Sequence, residues 1–152
     1  MMEMAQVQPR LLDALRGWLV DGDQRLTVQL WALGEVRMQG SFLAIDAQGA
    51  EVRAASRLSS PDQQIDEFFE LMIEHRAAAY IPLSGTWFNI TLVLEPGKGL
   101  QINLDFDHQP AGLGTVENLQ ELCLEELRVY PRSPENTPEW LSAGAAGDAP
   151  QQ

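Results

Sequence analysis

The run DFDH at 105–108 places two carboxylates one residue apart and directly before one of the chain's two histidines. Carboxylates beside an imidazole could hold a divalent metal or act as a general acid and base. A metal would need further ligands on the same surface, and a catalytic carboxyl pair needs one member in an apolar setting that raises its pKa. Three readings follow: a metal or acid/base site, a plain solvated surface, and a surface that binds a basic partner.

The strand that carries this run limits its chemistry. Residues 86–107 alternate apolar and polar side chains around the turn EPGKG, which predicts a β-hairpin. Alternation places Asp105 and Asp107 on one polar face and turns Phe106 inward. His75, the other histidine, belongs to a separate predicted helix. The polar face therefore lacks the further ligands that a metal needs, and charge presentation is the favoured role of the two acids.

No other stretch predicts catalysis. Cys123 lies on the apolar face of a predicted helix, where a small buried side chain is the usual role. The glycine and lysine at 97–99 form a hairpin tip with no helix behind it, so they do not make a phosphate loop. No serine lies in a G-x-S-x-G turn. We predict no catalytic residue, no metal site and no cofactor, and hence a protein that is not an enzyme.

Charge is distributed unevenly along the chain. There are 22 acids and 10 bases, for a net charge of −12. Residues 1–58 hold seven acids and six arginines, whereas residues 59–152 hold fifteen acids and four bases. Such a surface repels nucleic acid and anionic lipid, and it speeds encounter with a basic partner. Many acidic proteins are acidic for solubility alone, and composition does not separate these two explanations.

A second group of acids lies on the predicted helix that starts at Pro61. Its apolar side has helical spacing and is expected to pack in the core: Ile65, Phe68, Phe69, Met72 and Ile73. Its other side is almost wholly acidic, with only Arg76 to offset the charge, and includes Glu67, Glu70 and Glu74. Like charges at helical spacing destabilise an isolated helix slightly. We predict that Glu67, Glu70 and Glu74 bind a partner together with Asp105 and Asp107.

The elements that position these acids predict an α+β fold. An amphipathic helix over 4–20 precedes strands at 25–33, 36–45 and 51–56. Ser60 is the expected N-cap of the second helix, with Gln63 completing a capping box. After the hairpin, Thr115 is expected to cap a third helix. The order α-β-β-β-α-β-β-α predicts an antiparallel sheet of about five strands with helices mainly on one face.

The strand alternation also assigns the tryptophans. Trp87 is expected to face away from the side that Phe88 shares with the apolar residues of its strand. At least three of the four tryptophans are expected to be core residues, and Trp31 and Trp87 are the alternative candidates for interface anchors.

Composition also sets the domain limits and the compartment. Residues 1–141 are predicted to form one domain, and residues 142–152, which lack large apolar side chains, a disordered tail. The single cysteine cannot form an internal disulfide, and no signal peptide or membrane-spanning run is evident. A cytoplasmic protein is predicted.

The order of motifs in the second half resembles the YezG-like immunity proteins of bacterial polymorphic toxin systems. The resemblance covers residues 61–141 and rests on a tryptophan-started strand at 87–94, the glycine turn at 96–99, the acid-aromatic-acid step at 105–107 with Pro110, a helix at 116–127, and the closing YPR at 130–132 with Glu135 and PEWL at 138–141. Residues 1–58 carry no matching motif.

The resemblance implies a non-catalytic antitoxin that neutralises the catalytic domain of a cognate toxin by direct contact. Where that toxin is a nuclease, its active face is basic, and an acidic surface would imitate phosphate. The element order also fits a class I type III secretion chaperone, which works as a dimer and holds an unfolded effector segment in apolar grooves. A minor third alternative is a metal-dependent hydrolase at 105–108. The oligomeric state is left open, and a homodimer is compatible with the sequence.

Overall fold

The computed structural model of the chain describes residues 2–148, which form four α-helices and five β-strands. In chain order these are α1 (Met4–Arg16), β1 (Arg25–Leu33), β2 (Arg37–Ile45), β3 (Glu51–Arg53), α2 (Pro61–Ala78), β4 (Asn89–Leu94), β5 (Gln101–Asp105), α3 (Leu119–Val129) and α4 (Glu139–Ala145). The α+β class and the predicted order of elements are confirmed, with α4 as an additional helix.

All five strands form one antiparallel sheet in the order β3-β2-β1-β4-β5. Leu33 at the end of β1 pairs with Arg37 at the start of β2, across the turn that contains Gly34. At the same end, Asn89 at the start of β4 pairs with Asp105 at the end of β5. We call this edge of the sheet the Gly34 end.

The two longer helices cover one face of the sheet. Alternate residues of β1 and β4 are buried against α1 and α2. An aromatic group lies at the centre of this layer, with the Trp18 and Phe42 ring centroids 4.8 Å apart and those of Trp18 and Phe68 5.2 Å apart. Burying each large apolar side chain stabilises a fold by roughly 1.5–3 kcal/mol, so this layer holds both helices in place.

The two shorter helices pack at the Gly34 end of the opposite face. Trp31 and Leu33 point to that face because successive strand residues alternate, and they join Phe88, Cys123 and Leu141 in a second buried cluster. The helices therefore lie on both faces. The prediction of helices mainly on one face describes α1 and α2, whereas α3 and α4 cover one end of the other face.

The starts of α2 and α3 differ in detail from the sequence prediction. Ser60 is the N-cap of α2, as predicted, but the side-chain oxygen of Gln64, and not that of Gln63, accepts the backbone N–H of Ser60 at 2.9 Å. Thr115 does not cap α3, because a short 3₁₀ turn intervenes and the helix begins only after Asn118, whose φ of 55° is left-handed. The apolar residues of the predicted third helix are nevertheless packed in the second cluster.

The predicted disordered tail is wrong for its first residues. Ser142 to Ala145 are helical within α4, and Leu141 and Gly144 are fully or almost fully buried. They are buried because this segment packs on Cys123, a contact that its weakly apolar sequence does not indicate. The rest of the predicted tail, 149–152, lies outside the described residues.

The predicted strand face is correct for Trp31 but wrong for Trp87. The chain bends at Phe88 before β4 begins, so Trp87 packs in the α1–α2 layer and Phe88 in the α3–α4 layer, the reverse of the predicted assignment. Trp31 and Trp87 are both buried. Neither is therefore an exposed interface anchor.

Across residues 2–148, no helix is long and apolar enough to cross a membrane.

Candidate acidic interface

The three acids predicted on the second helix line one shallow groove. Glu67, Glu70 and Glu74 face α1 across a depression of about 460 Å³. The side-chain oxygen of Glu74 accepts the backbone N–H of Met2 at 3.2 Å. Arg10 of α1 also lines the groove and is the base among its lining residues. The helical spacing therefore does bring these three carboxylates onto one surface, with three negative charges against one positive charge.

Asp105 occupies the last position of β5 and closes the turn that follows. Its Oδ1 accepts the backbone N–H groups of Asp107 at 2.9 Å and His108 at 3.0 Å, while its Oδ2 lies 2.8 Å from Nδ1 of His108. An aspartate that accepts backbone N–H groups two and three residues ahead stabilises a turn. The Asp105 carboxylate is thus largely committed to local structure.

The electrostatics of this pair favour an ion pair over acid/base catalysis. Partial burial raises the pKa of Asp105, but the hydrogen bonds from Asp107 and His108 outweigh it and leave the pKa below its usual value. The hydrogen bond to Asp105 raises the pKa of His108. Both shifts favour the charged forms, whereas a catalytic acid needs a raised carboxyl pKa. The geometry therefore gives 105–108 a structural role.

Asp107 does not share a strand face with Asp105, contrary to the sequence prediction. The strand ends at Asp105, so Asp107 lies in the turn and its side chain is exposed. Its backbone carbonyl accepts the indole N–H of Trp140 at 2.8 Å. Phe106, between the two acids, is half-buried and packs against the α1–α2 layer, close to the predicted inward position. Asp107 is therefore the more exposed acid of the pair.

The two predicted acid groups lie on separate surfaces that share one end of the molecule. Arg76, in the last turn of α2, donates to the carbonyls of Trp87 (2.7 Å) and Gly34 (2.8 Å). The C-terminal end of α2 is therefore at the Gly34 end, where Asp105 also lies. Glu74 is the member of the helix group closest in sequence to this end.

Arg76 and Glu126 form a buried ion pair that the sequence prediction missed. Arg76 is 2% exposed and Glu126 is fully buried, with 2.8 Å between the guanidinium and the carboxylate. The other Glu126 hydrogen bond comes from the backbone N–H of Gly34 at 2.9 Å. Burial raises the pKa of Glu126 against the opposing pull of Arg76. The pair joins α2, α3 and the β1–β2 turn.

This pair also corrects the predicted surface of α2. Arg76 was expected to offset the acids of the outer face, but it continues the buried spacing of Phe68 and Met72. Glu126 likewise follows Leu122 on the inner side of α3. The helical spacing of Arg76 and Glu126 from these buried residues is the sequence signal that could have predicted their burial. The acids of α2 therefore have no arginine of their own helix on the outer surface.

Cys123 is buried, as predicted. Burial raises the pKa of its thiol to about 11, with the charge of Glu126 adding to the effect. The thiol is therefore protonated at neutral pH and lacks the thiolate character of a nucleophile.

The closing segment of the chain, residues 130–141, packs against the Gly34 end. Arg132 donates to the backbone carbonyls of Thr86 (2.9 Å) and Phe106 (3.0 Å), and its guanidinium lies 4.6 Å from the centre of the Phe88 ring. Trp140 contacts the same ring, with centroids 4.7 Å apart. The acid-aromatic-acid step and the closing motif, which carry the family resemblance, therefore meet around Phe88. Their contacts here are structural.

No group of three or more His, Cys, Asp or Glu side chains within the described part of the chain is arranged to hold a metal ion. Comparison with models of known protein families gave no match, and comparison with curated proteins gave no significant match.

Proposed function

We propose that the protein is a non-catalytic immunity protein of the bacterial cytoplasm, which binds a cognate basic toxin domain and blocks it by direct contact. The observation that carries the proposal is the charge of the surface formed by the second part of the chain. Fourteen of the fifteen acids in residues 59–152 are exposed or half-buried, Glu126 being the buried one. The family resemblance supplies the class of partner.

The bases of the same region do little to neutralise that surface. Arg76 is buried with Glu126, Arg132 donates inward to backbone carbonyls, and Lys98 lies 3.2 Å from Glu95. Arg128 is the fourth base and is exposed. A surface of this charge attracts a basic protein and raises its association rate. It also repels nucleic acid and anionic membranes, which we do not propose as partners.

Glu67, Glu70 and Glu74 are the proposed centre of the contact, with Asp107 as a further exposed carboxylate. Asp105 contributes by holding the turn that presents Asp107. A nuclease is the favoured toxin class, because its active face must be basic to hold phosphate.

Rescue by co-expression tests the proposal. The protein encoded beside this chain is expressed alone and together with it, and growth is measured. We expect toxicity that this chain relieves, and a complex of the two purified proteins. Toxicity with neither rescue nor binding would contradict the proposed function. A harmless neighbour that does not bind would contradict it equally.

Charge reversal tests the surface. Glu67→Lys, Glu70→Lys and Glu74→Lys together should weaken the complex at least about tenfold at low salt. The matched control reverses three exposed acids elsewhere, Glu117, Glu121 and Asp148, with the same change in net charge. Equal losses for both triple variants would show that overall charge, and not the α1–α2 groove, governs binding.

The hairpin needs a separate pair of variants, because Asp105 has a structural role. Asp107→Lys should weaken the complex, whereas Asp105→Asn should lower the stability of the turn. Unchanged affinity of Asp107→Lys, and unchanged salt dependence, would remove the hairpin from the interface.

A class I type III secretion chaperone is the second candidate. It is favoured by an apolar groove of about 370 Å³ between α1 and β5, lined by Ala5, Gln8, Pro9, Leu12, Leu100 and Ile102. A chaperone would bind an extended segment and form a dimer, so light scattering and peptide binding distinguish it from an immunity protein that binds a folded domain.

A further inference from the structure

Three consecutive apolar residues are exposed in the loop between α2 and β4. Ile81 is 53% exposed and Leu83 59%, and Pro82 between them is exposed as well. Single exposed aliphatic side chains are common on protein surfaces, but an apolar group at the tip of one loop indicates an interaction site more often. We call residues 81–83 the loop tip.

The loop tip is held in one shape by hydrogen bonds. The backbone N–H and carbonyl of Ile81 bond to Gly85 at 2.9 and 3.0 Å, which closes the loop at its base. The carbonyl of Leu83 accepts the backbone N–H of Ser133 at 2.9 Å and the side-chain amide of Asn136 at 3.1 Å. The tip is therefore fixed to the closing segment of the chain.

The backbone at the tip is strained without a gain in burial. Leu83 has φ of 63°, a left-handed conformation that is unfavourable for a residue with a branched side chain. In this conformation the leucine side chain is exposed to solvent, so it does not serve the core of this chain. Such strain persists where the surroundings impose it, and it is often found at binding sites.

The surface around the tip is acidic. Asn136, which holds the tip, follows the exposed Glu135. On the other side the Tyr80 ring lies 5.5 Å from that of Tyr130. Burial raises the pKa of Tyr130, and the nearby carboxylates of Glu35 and Glu74 add to it against Arg76. Glu74 is one of the acids of the proposed contact, and it lies near the end of α2, which stops at Ala78, three residues before the tip begins. Arg37 and Arg128 are exposed bases of the same end, and Arg132, which pairs with the backbone of Leu83, is a half-buried one. They are outnumbered by six exposed or half-buried acids, Glu35, Glu74, Asp105, Asp107, Glu125 and Glu135.

We propose that the loop tip is a binding anchor that enters an apolar pocket bordered by basic side chains on the folded partner protein. This inference rests on the proposed function, in which the partner is the toxin domain. The acidic surroundings complement a basic rim, and they oppose both an anionic membrane and a second copy of the same acidic surface. A rigid apolar anchor loses little conformational freedom on binding, which favours affinity.

Two substitutions remove the anchor without removing the fold. Ile81→Ser shortens an exposed side chain. Leu83→Asn replaces the leucine with a residue that tolerates the left-handed backbone, so the variant should be as stable as the wild type or more stable. The matched control is Val20→Ser, because Val20 is 49% exposed and lies before β1, at the end of the sheet away from Gly34.

The dissociation constants of these variants are measured against the purified toxin domain encoded beside this chain, together with their thermal stabilities. We expect about tenfold weaker binding for each tip variant, with Val20→Ser unchanged. A Leu83→Asn variant that is as stable as wild type but binds weakly would show that the leucine serves the partner and not the fold.

Three other results would overturn the inference in different ways. Full-strength binding by both tip variants would remove the loop tip from the interface and leave the proposed function standing. No binding by the wild type would contradict the proposed function and the tip inference with it. A wild-type dimer that the tip variants convert to monomers would assign the tip to self-association.

Discussion

The two histidines have opposite surroundings, and their protonation affects the fold in opposite directions. His75 is 1% exposed, and its Nδ1 accepts the indole N–H of Trp87 at 3.1 Å. Burial lowers the pKa of His75 to about 4. His108 is exposed, and the Asp105 carboxylate raises its pKa. His75 is therefore held neutral, whereas His108 favours its charged form.

The neutral state of His75 should make stability fall on acidification. In the unfolded chain an ordinary histidine protonates near pH 6.5, but in the folded protein His75 resists protonation until about pH 4. Its contribution is therefore fully present above pH 6.5 and is lost as pH falls to about 4, by about 3 kcal/mol at most. A His75→Gln variant has no imidazole to protonate. The difference between its free energy of unfolding and that of wild type should therefore be smaller at pH 4 than at pH 7, by about 3 kcal/mol.

Urea unfolding of both proteins at several pH values measures the effect, and shared contributions from other groups cancel in the difference. His108→Gln is the control. The ion pair of His108 with Asp105 stabilises below pH 6.5 and loses its effect as pH rises through the raised pKa, so this variant should differ more from wild type at low pH. A His75→Gln deficit that does not change with pH would contradict the assignment.

The buried ion pair of Arg76 and Glu126 gives a second test at the residue scale. Glu126→Gln keeps the shape of the side chain but leaves the arginine charge unpaired in the core. We expect a loss of about 3–5 kcal/mol in the free energy of unfolding. The double variant Arg76→Met with Glu126→Leu should lose less than Glu126→Gln alone, because neither charge is then buried.

Chemical unfolding of the three proteins measures this coupling, with Lys98→Ala as the surface control. Lys98 is 66% exposed in its pair with Glu95, so its removal should leave stability nearly unchanged. A Glu126→Gln variant as stable as wild type would show that the pair does not hold α2 to α3.

At the scale of elements, α4 docks on α3 through one close approach. A Cβ atom added to Gly144 would lie 2.5 Å from Sγ of Cys123. Gly144→Ala should therefore separate the two helices and cost about 1–3 kcal/mol. Adding Cys123→Ala should restore part of this loss by removing the sulfur.

Thermal unfolding of the single and double variants tests this contact. Gly17→Ala is the matched control, because Gly17 has ordinary right-handed geometry and its added Cβ would meet neighbours no closer than 3.4 Å. Equal stability of Gly144→Ala and wild type would mean that α4 does not need this approach.

The elements that could be predicted are those with a strong local period. Alternate burial along β1 and β4 follows the period of two in their sequences, and the inner face of α2 follows helical spacing. Helix α4 was not predicted, because its few apolar side chains form no local pattern and its burial comes from Cys123 and Leu33. The local sequence does not show such distant partners.

The candidate site likewise has one part that local spacing predicts and another that depends on the assembled fold. The acidic side of α2 was predictable from spacing, since Glu67, Glu70 and Glu74 do line one groove. The prediction that Asp105 and Asp107 share one strand face is wrong because β5 ends at Asp105. The ends of strands are poorly marked in sequence. Glu126 pairs with Arg76 fifty residues away, a contact that requires the assembled fold.

At the scale of the whole molecule, the Gly34 end combines long-range charge with a short-range anchor. Acids on α2 and in the turns act over about 8 Å in physiological salt, whereas the loop tip acts only on contact. The proposed interface therefore has two parts with different kinetic roles. Charge is expected to govern the rate of encounter, and apolar contact is expected to govern the lifetime of the complex.

Kinetics with the toxin domain should separate these roles. The triple variant of Glu67, Glu70 and Glu74 to lysine should lower the association rate constant about tenfold at low salt, with the difference shrinking as salt screens the charges. Ile81→Ser and Leu83→Asn should instead raise the dissociation rate constant and leave the salt dependence of association unchanged.

Stopped-flow mixing at several salt concentrations measures both constants, and the reversal of Glu117, Glu121 and Asp148 controls for net charge. A tip variant that alters the salt dependence as much as the acidic triple variant would contradict the division. So would an acidic triple variant that acts only on dissociation, since charges that attract a partner from a distance must change the rate at which it arrives.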